Sequence, residues 1–154
     1  MFRAFFVASV FLCFFSAAAL TQEKADDVPY RQDAGLITAE YYLATGKYAQ
    51  ALQVLGGVLK RHPRSADAYV YRGYAHEKLG DMPKASADYK KALAIDPGHL
   101  GANRYLAGLY LQQGDRALAF EQLQAIRAIC AGLECPEQTE LENLINKAKK
   151  PASP

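Results

Sequence analysis

Gly46, Gly80 and Gly114 recur at a spacing of 34 residues, and Ala51, Ala85 and Ala119 follow each of them five places on. A fixed period of this length marks stacked, self-similar units, each unable to bury its own apolar face without a neighbour. The chain is therefore read as a repeat scaffold whose surface acts, with no catalytic pocket implied. At 154 residues it has room for a few such units and one terminal element.

The period divides the chain into residues 32–65, 66–99 and 100–133, and each unit reads as helix, tight turn, helix. In the middle unit Ser65 is placed to cap a helix over 66–79, and Gly80 ends it because glycine takes the left-handed conformation cheaply. Asp81 then caps a second helix that stops near Ile95, ahead of Pro97. Small residues recur where the two helices cross: Ala39, Gly73 and Ala107 on the first helices, Ala51, Ala85 and Ala119 on the second. Larger groups stand around them, Tyr42, His76 and Tyr110 on one side, Leu55, Tyr89 and Leu123 with Val58, Ala92 and Ile126 on the other.

This pattern resembles the tetratricopeptide repeat, and the resemblance covers residues 32–133. Tyr69, Gly73, Ala85, Tyr89, Ala92 and Pro97 of the middle unit fall at the family's signature positions. Departures are Gly35 and Asn103 in place of a large aromatic, Thr38 and Arg72 in place of leucine, and Ala131 where proline ends the other units. The resemblance implies an all-α fold, a right-handed α-α superhelix of three helical hairpins, and beyond its reach the residues of 134–150 read as a capping helix. Leu141, Leu144, Ile145 and Ala148, three and four places apart, give that last helix one apolar stripe, suited to cover the exposed end of a stack. Residues 151–154 form a tail.

The first 20 residues differ in kind. Arg3 precedes an apolar run from residue 4 to 15, and the small residues Ser16, Ala17, Ala18 and Ala19 follow. This three-part pattern predicts a signal peptide over 1–19, cleaved before Leu20; the alternative is an uncleaved membrane anchor. Either way the repeats lie outside the cytoplasm, in the periplasm or secreted, and the chain resembles small periplasmic bacterial members of the family. A polar lead over 20–31 follows.

Charge excludes one class of partner. Lysine and arginine total 18 against 16 aspartates and glutamates, with no long basic run to neutralise phosphates, so no nucleic-acid partner is expected. No glycine-rich loop sits between a strand and a helix, so neither a nucleotide cofactor nor a small-molecule substrate is expected. Cys130 and Cys135 remain in the mature chain, and an oxidising compartment predicts that they pair as a disulfide joining the third unit to the cap. The rival reading is a thiol-redox or metal-handling pair, although four intervening residues fit neither a thioredoxin-type nor a haem motif. His62 and His99 lie in loops and His76 on a packing face, so no metal or catalytic residue is assigned.

The surface that remains is the inner face. The resemblance implies that the second, fifth, ninth, twelfth and thirteenth positions of each unit point into a groove. From these the candidate partner-binding residues are Leu36, Glu40, Leu43, Val70, Tyr74, Glu77, Lys78, Arg104, Gly108 and Leu111. Apolar and aromatic groups beside both signs of charge suit an extended or helical peptide. The expected role is a non-catalytic interaction scaffold, with a structural subunit of an envelope complex as a further alternative.

Overall fold

The structure, a computed structural model, describes residues 33–149. The expected signal peptide, the whole of the polar lead and the tail lie outside the described residues. Seven helices follow one another, α1 (Ala34–Ala44), α2 (Tyr48–Arg61), α3 (Ala66–Lys78), α4 (Met82–Ile95), α5 (Leu100–Gln113), α6 (Arg116–Cys130) and α7 (Pro136–Lys149). They pack in consecutive pairs, α1 on α2, α3 on α4 and α5 on α6, and there is no strand among the described residues.

Local chemistry fixes the helix ends. Ser65 Oγ accepts from the Ala68 N–H at 3.2 Å, and Asp81 Oδ1 accepts from the Lys84 N–H at 3.2 Å, each satisfying a donor that the first helical turn leaves unpaired. All three hairpin turns close in the same way. In the middle one the Gly80 N–H reaches the Glu77 carbonyl and the Asp81 N–H reaches the His76 carbonyl, with Gly80 at φ +83°. The pairs Gly46 with Lys47 and Gly114 with Asp115 reproduce both bonds. This six-residue closure needs a left-handed residue just past the helix, which explains the glycine period.

The loops between units are held by aspartate and histidine. His99 Nδ1 accepts the Ala102 N–H at 3.2 Å, so its Nε2 carries the proton and donates to Asp67 Oδ1 at 2.9 Å. Asp33 caps α1 through the Gly35 N–H at 2.7 Å and also takes hydrogen bonds from Arg61 and His62. Burial opposes ionisation of Asp33, but the bonds from Arg61 and Gly35 outweigh it and hold its carboxyl below the ordinary range. Neither aspartate–histidine pair is apparent in the sequence, because the partners stand 29 and 32 residues apart.

Packing of the middle hairpin differs from that of its neighbours. A Cβ added at Gly73 would come within 2.7 and 2.8 Å of the Tyr89 ring and 3.2 Å of the Ala85 carbonyl oxygen. The glycine therefore makes room for a fully buried tyrosine, where Ala39 with Leu55 and Ala107 with Leu123 fill the corresponding places. Arg72, read from the sequence as a departure from leucine, donates two hydrogen bonds to the buried carboxylate of Asp88 on α4. Those bonds raise the guanidinium's affinity for its proton. Asn103, a second departure, is buried with its amide donating to the Pro97 and His99 carbonyls. Both exchange an apolar contact for a satisfied polar one.

Helix α7 packs on α5 and α6, as α5 does on α3 and α4, and so occupies the place a fourth unit's first helix would take. Leu141 and Ile145 are buried there, but Leu144 is 41% exposed and Ala148 is exposed, so only half of the expected apolar stripe faces the array. Arg127 with Glu142 and Arg104 with Glu140 fasten the helix at its rim.

Candidate partner-binding groove

The first helices of the hairpins line the inner side of the stack. Helix α1 meets α3 and α3 meets α5, whereas α2, α4 and α6 do not touch one another, so the stack curves toward the first helices. Residues facing inward from α1, α3 and α5 consequently share one surface.

The structure divides the ten sequence-predicted groove residues into three groups. Leu36, Leu43 and Val70 are buried, with exposures of 6%, 9% and 2%, and belong to the packing between hairpins. This corrects their assignment to the groove: apolar side chains at the edge of the inner face bend into the seam with the next hairpin, where burial is favourable. Arg104 and Leu111 face the inner side of α5 but are shared with α7. Arg104 Nε lies 3.3 Å from Glu140 Oε2, and Leu111 packs against the cluster that contains Leu141 and Ile145. Glu40 and Lys78 are exposed, and Tyr74, Glu77 and Gly108 are half-buried.

Around Tyr74 the inner surface is aromatic. Its ring lies 6.3 Å from Tyr48 of the first hairpin and 5.4 Å from Tyr105 of the third, and Tyr105 stacks on Tyr89 at 5.5 Å. Two cations cover this run, Lys78 Nζ at 4.9 Å from the Tyr74 ring centre and the Arg104 guanidinium at 4.1 Å from that of Tyr105. Beneath them the Tyr89 hydroxyl donates to Glu77 Oε2 at 2.9 Å. Burial and the adjacent Glu77 charge push the Tyr89 phenol far up, so it remains a donor throughout the physiological range. Gly108 sits beside this band with no atom within 4 Å of the place a Cβ would take, which leaves open space against the helix backbone.

Tyr48 and Tyr105 belong to this surface although they lie outside the five groove positions. Tyrosine recurrence could have flagged Tyr105, since it stands at the same place in its unit as Tyr71. Asp33 and Asp67, which the resemblance placed in the groove, are instead engaged by the loop histidines. Cys130 and Cys135 lie together at the joint between α6 and α7, with Cα atoms 6.1 Å apart, away from the aromatic band. Among the described residues no group of three or more His, Cys, Asp or Glu side chains is arranged to hold a metal ion. Nor is any helix among them long and apolar enough to cross a membrane.

Comparison with known proteins bears on this architecture. Two tetratricopeptide repeat family models match residues 38–100 and 78–129, together spanning more than half of the chain. The mouse FK506-binding protein-like protein is 40% identical over 70 residues, which is 46% of this chain and 20% of that protein. The chain spans less than a third of the length of the curated relatives it matches. Among solved structures, the TPR2B domain of yeast Sti1 in a pHsp70 complex superposes with a TM-score of 0.69 at 27% identity, covering 77% of this chain and 94% of that one. The Yersinia enterocolitica type III secretion chaperone SycD, with a peptide of the translocator YopD, gives a TM-score of 0.65 at 19% identity over 77% and 88% of the two chains, a likeness of fold alone. The matched models, the paired helices and the glycine-closed turns agree: this chain belongs to the tetratricopeptide repeat family.

Proposed function

We propose that the chain is a non-catalytic scaffold that holds a protein partner, as an extended or helical peptide, against the inner face of its first helices. The observation that carries this reading is the aromatic band of Tyr48, Tyr74 and Tyr105 beside the open space at Gly108. Rings locked by their neighbours offer apolar area at low ordering cost, and the cations above them set register without demanding one charge from the partner. The complex of the yeast Sti1 TPR2B domain with pHsp70 supports a protein as the partner class. Glu40, Tyr74, Glu77, Lys78, Arg104, Gly108 and Leu111 are the residues assigned to contact it.

The site is tested by placing a photoreactive residue at position 74 in cells and identifying what is captured by mass spectrometry. Gly108→Gln should abolish the product while leaving the fold intact, because its side chain enters the open space. Capture unchanged by Gly108→Gln and by Lys78→Glu would move the site elsewhere.

The working compartment is assigned outside the cytoplasm, on the signal-like pattern of residues 1–19, and there Cys130 and Cys135 form a structural disulfide. Closing so short a loop is worth about 2 kcal/mol. Cys130→Ser with Cys135→Ser should therefore lower thermal stability and spare partner capture. Loss of capture at unchanged stability would favour a redox or metal role instead.

A further inference from the structure

The two ends of the array are finished differently. At one end α7 covers the third hairpin and turns Glu140, Asn143, Asn146 and Lys147 to solvent, with Leu144 and Ala148 as scattered apolar groups among them. At the other, α1 exposes Ala34, Ile37, Thr38, Tyr41 and Thr45, with Ile37 at 60% and Tyr41 at 59%. These five residues recur three and four places apart, so they form one stripe along the helix. None of the five is charged, and the cation beside them is Lys47, whose Nζ stands 5.9 Å from the centre of the Tyr41 ring. Both threonine hydroxyls are turned onto the helix itself, Thr38 to the Ala34 carbonyl at 2.7 Å and Thr45 to the Tyr41 carbonyl at 2.9 Å, which leaves their methyls outward.

The repeat shows what such a stripe is for. The places of Ala34, Ile37 and Tyr41 are held by Ala68, Tyr71 and Ala75 on α3 and by Ala102, Tyr105 and Leu109 on α5. Those residues pack against the preceding hairpin: Ala68, Ala75, Ala102 and Leu109 are all buried, and Tyr71 and Tyr105 partly so. Helix α1 therefore presents a hairpin-accepting face that no hairpin among the described residues covers.

We propose that this face is covered by a second copy of the chain, the two α1 helices packing about a two-fold axis. Three observations select this occupant. The residues just before α1 fit poorly, since 20–32 include Glu23, Lys24, Asp26, Asp27 and Arg31 against an uncharged stripe. Head-to-tail stacking is blocked, because α7 occupies the surface that the next hairpin's first helix would use. With one end closed, the remaining face pairs with its own copy, which gives a closed dimer and no filament. A net charge of +2 raises little repulsion between copies.

A single helix stripe lies below the roughly 800 Å² per partner of a stable interface, so the dimer is concentration-dependent. The test is the mass of the full chain by sedimentation velocity from about 5 to about 500 µM, a range set to bracket micromolar affinity. Reversible dimerisation is expected, with Ile37→Glu plus Tyr41→Glu weakening it at least about tenfold at an unchanged melting curve. Thr38→Arg, on the same stripe, serves as an independent second variant. A monomer over the whole range, or a dimer indifferent to both variants, would overturn the proposal. So would a chain that dimerises only once residues 1–32 are removed, since its own leading segment would then be the occupant.

Discussion

Where α3 crosses α4 a glycine faces a buried tyrosine, while in the hairpins on either side an alanine and a leucine hold the corresponding places. The middle hairpin adds a second departure, with Arg72 and Asp88 paired across the two helices where the flanking hairpins carry Thr38 with Val54 and Leu106 with Gln122. A shared backbone plan thus accepts two distributions of side-chain volume, provided the two helices of a hairpin change together. Compensation is local, and it lies between helices of one unit.

The sharpest way to break this comparison is Gly73→Ala, which imports the outer hairpins' residue without its partner. Overpacking against the Tyr89 ring should cost about 2–3 kcal/mol in urea unfolding. Adding Tyr89→Leu should recover most of that loss, so the coupling energy of the double-mutant cycle is the quantity to measure. Additive effects would show that the two positions are independent after all.

Next in size is the ion pair. Arg72→Leu leaves the buried Asp88 carboxylate with His76, 3.9 Å away, in place of its guanidinium and should cost about 1–2 kcal/mol, reduced because the arginine is partly solvated. Asp88→Val on top of it, which supplies the residue of the first hairpin, should restore stability by denaturant melt.

Gly108→Ala tests the same residue change with the opposite sign. Nothing stands near the new Cβ, so the gain in helix propensity should stabilise the chain by up to about 1 kcal/mol. A glycine that packing requires and a glycine that faces open space are then told apart by one measurement.

Acid sensitivity gives the smallest effect. His76 stands where the outer hairpins carry Tyr42 and Tyr110, and burial lowers its pKa against the opposing pull of Asp88 and Asp81. The unfolded chain therefore binds a proton first as pH falls through the ordinary histidine value, and stability drops below that point. His76→Tyr should flatten the dependence of Tm on pH between about 7.5 and 5.5, a window set by the ordinary histidine pKa.

Much of this architecture is legible in the sequence, for physical reasons. A turn that needs a left-handed residue accepts few amino acids, so Gly46, Gly80 and Gly114 reveal the period and hence the hairpins. Caps are equally local, and Ser65 and Asp81 mark their helices correctly. Arg72 reads as a defect because its partner lies 16 residues away on another helix, and pairing it with Asp88 requires the relative rotation of α3 and α4. The groove is legible as a face but not as a surface. Helical phase separates inward from outward positions, yet it does not tell that Leu36, Leu43 and Val70 sink into the seams or that α7 reaches over Arg104 and Leu111.

Arrays of this kind lengthen by duplication, and α7 sets where that can happen here. A unit appended after it would find its docking surface already taken, so growth toward that side needs the helix to be displaced or the new unit to be inserted ahead of residue 134. Insertion between existing hairpins keeps Arg127 with Glu142 and moves the closing helix as a ready-made terminus. Such a helix makes the length of the scaffold adjustable from within while its boundary stays the same.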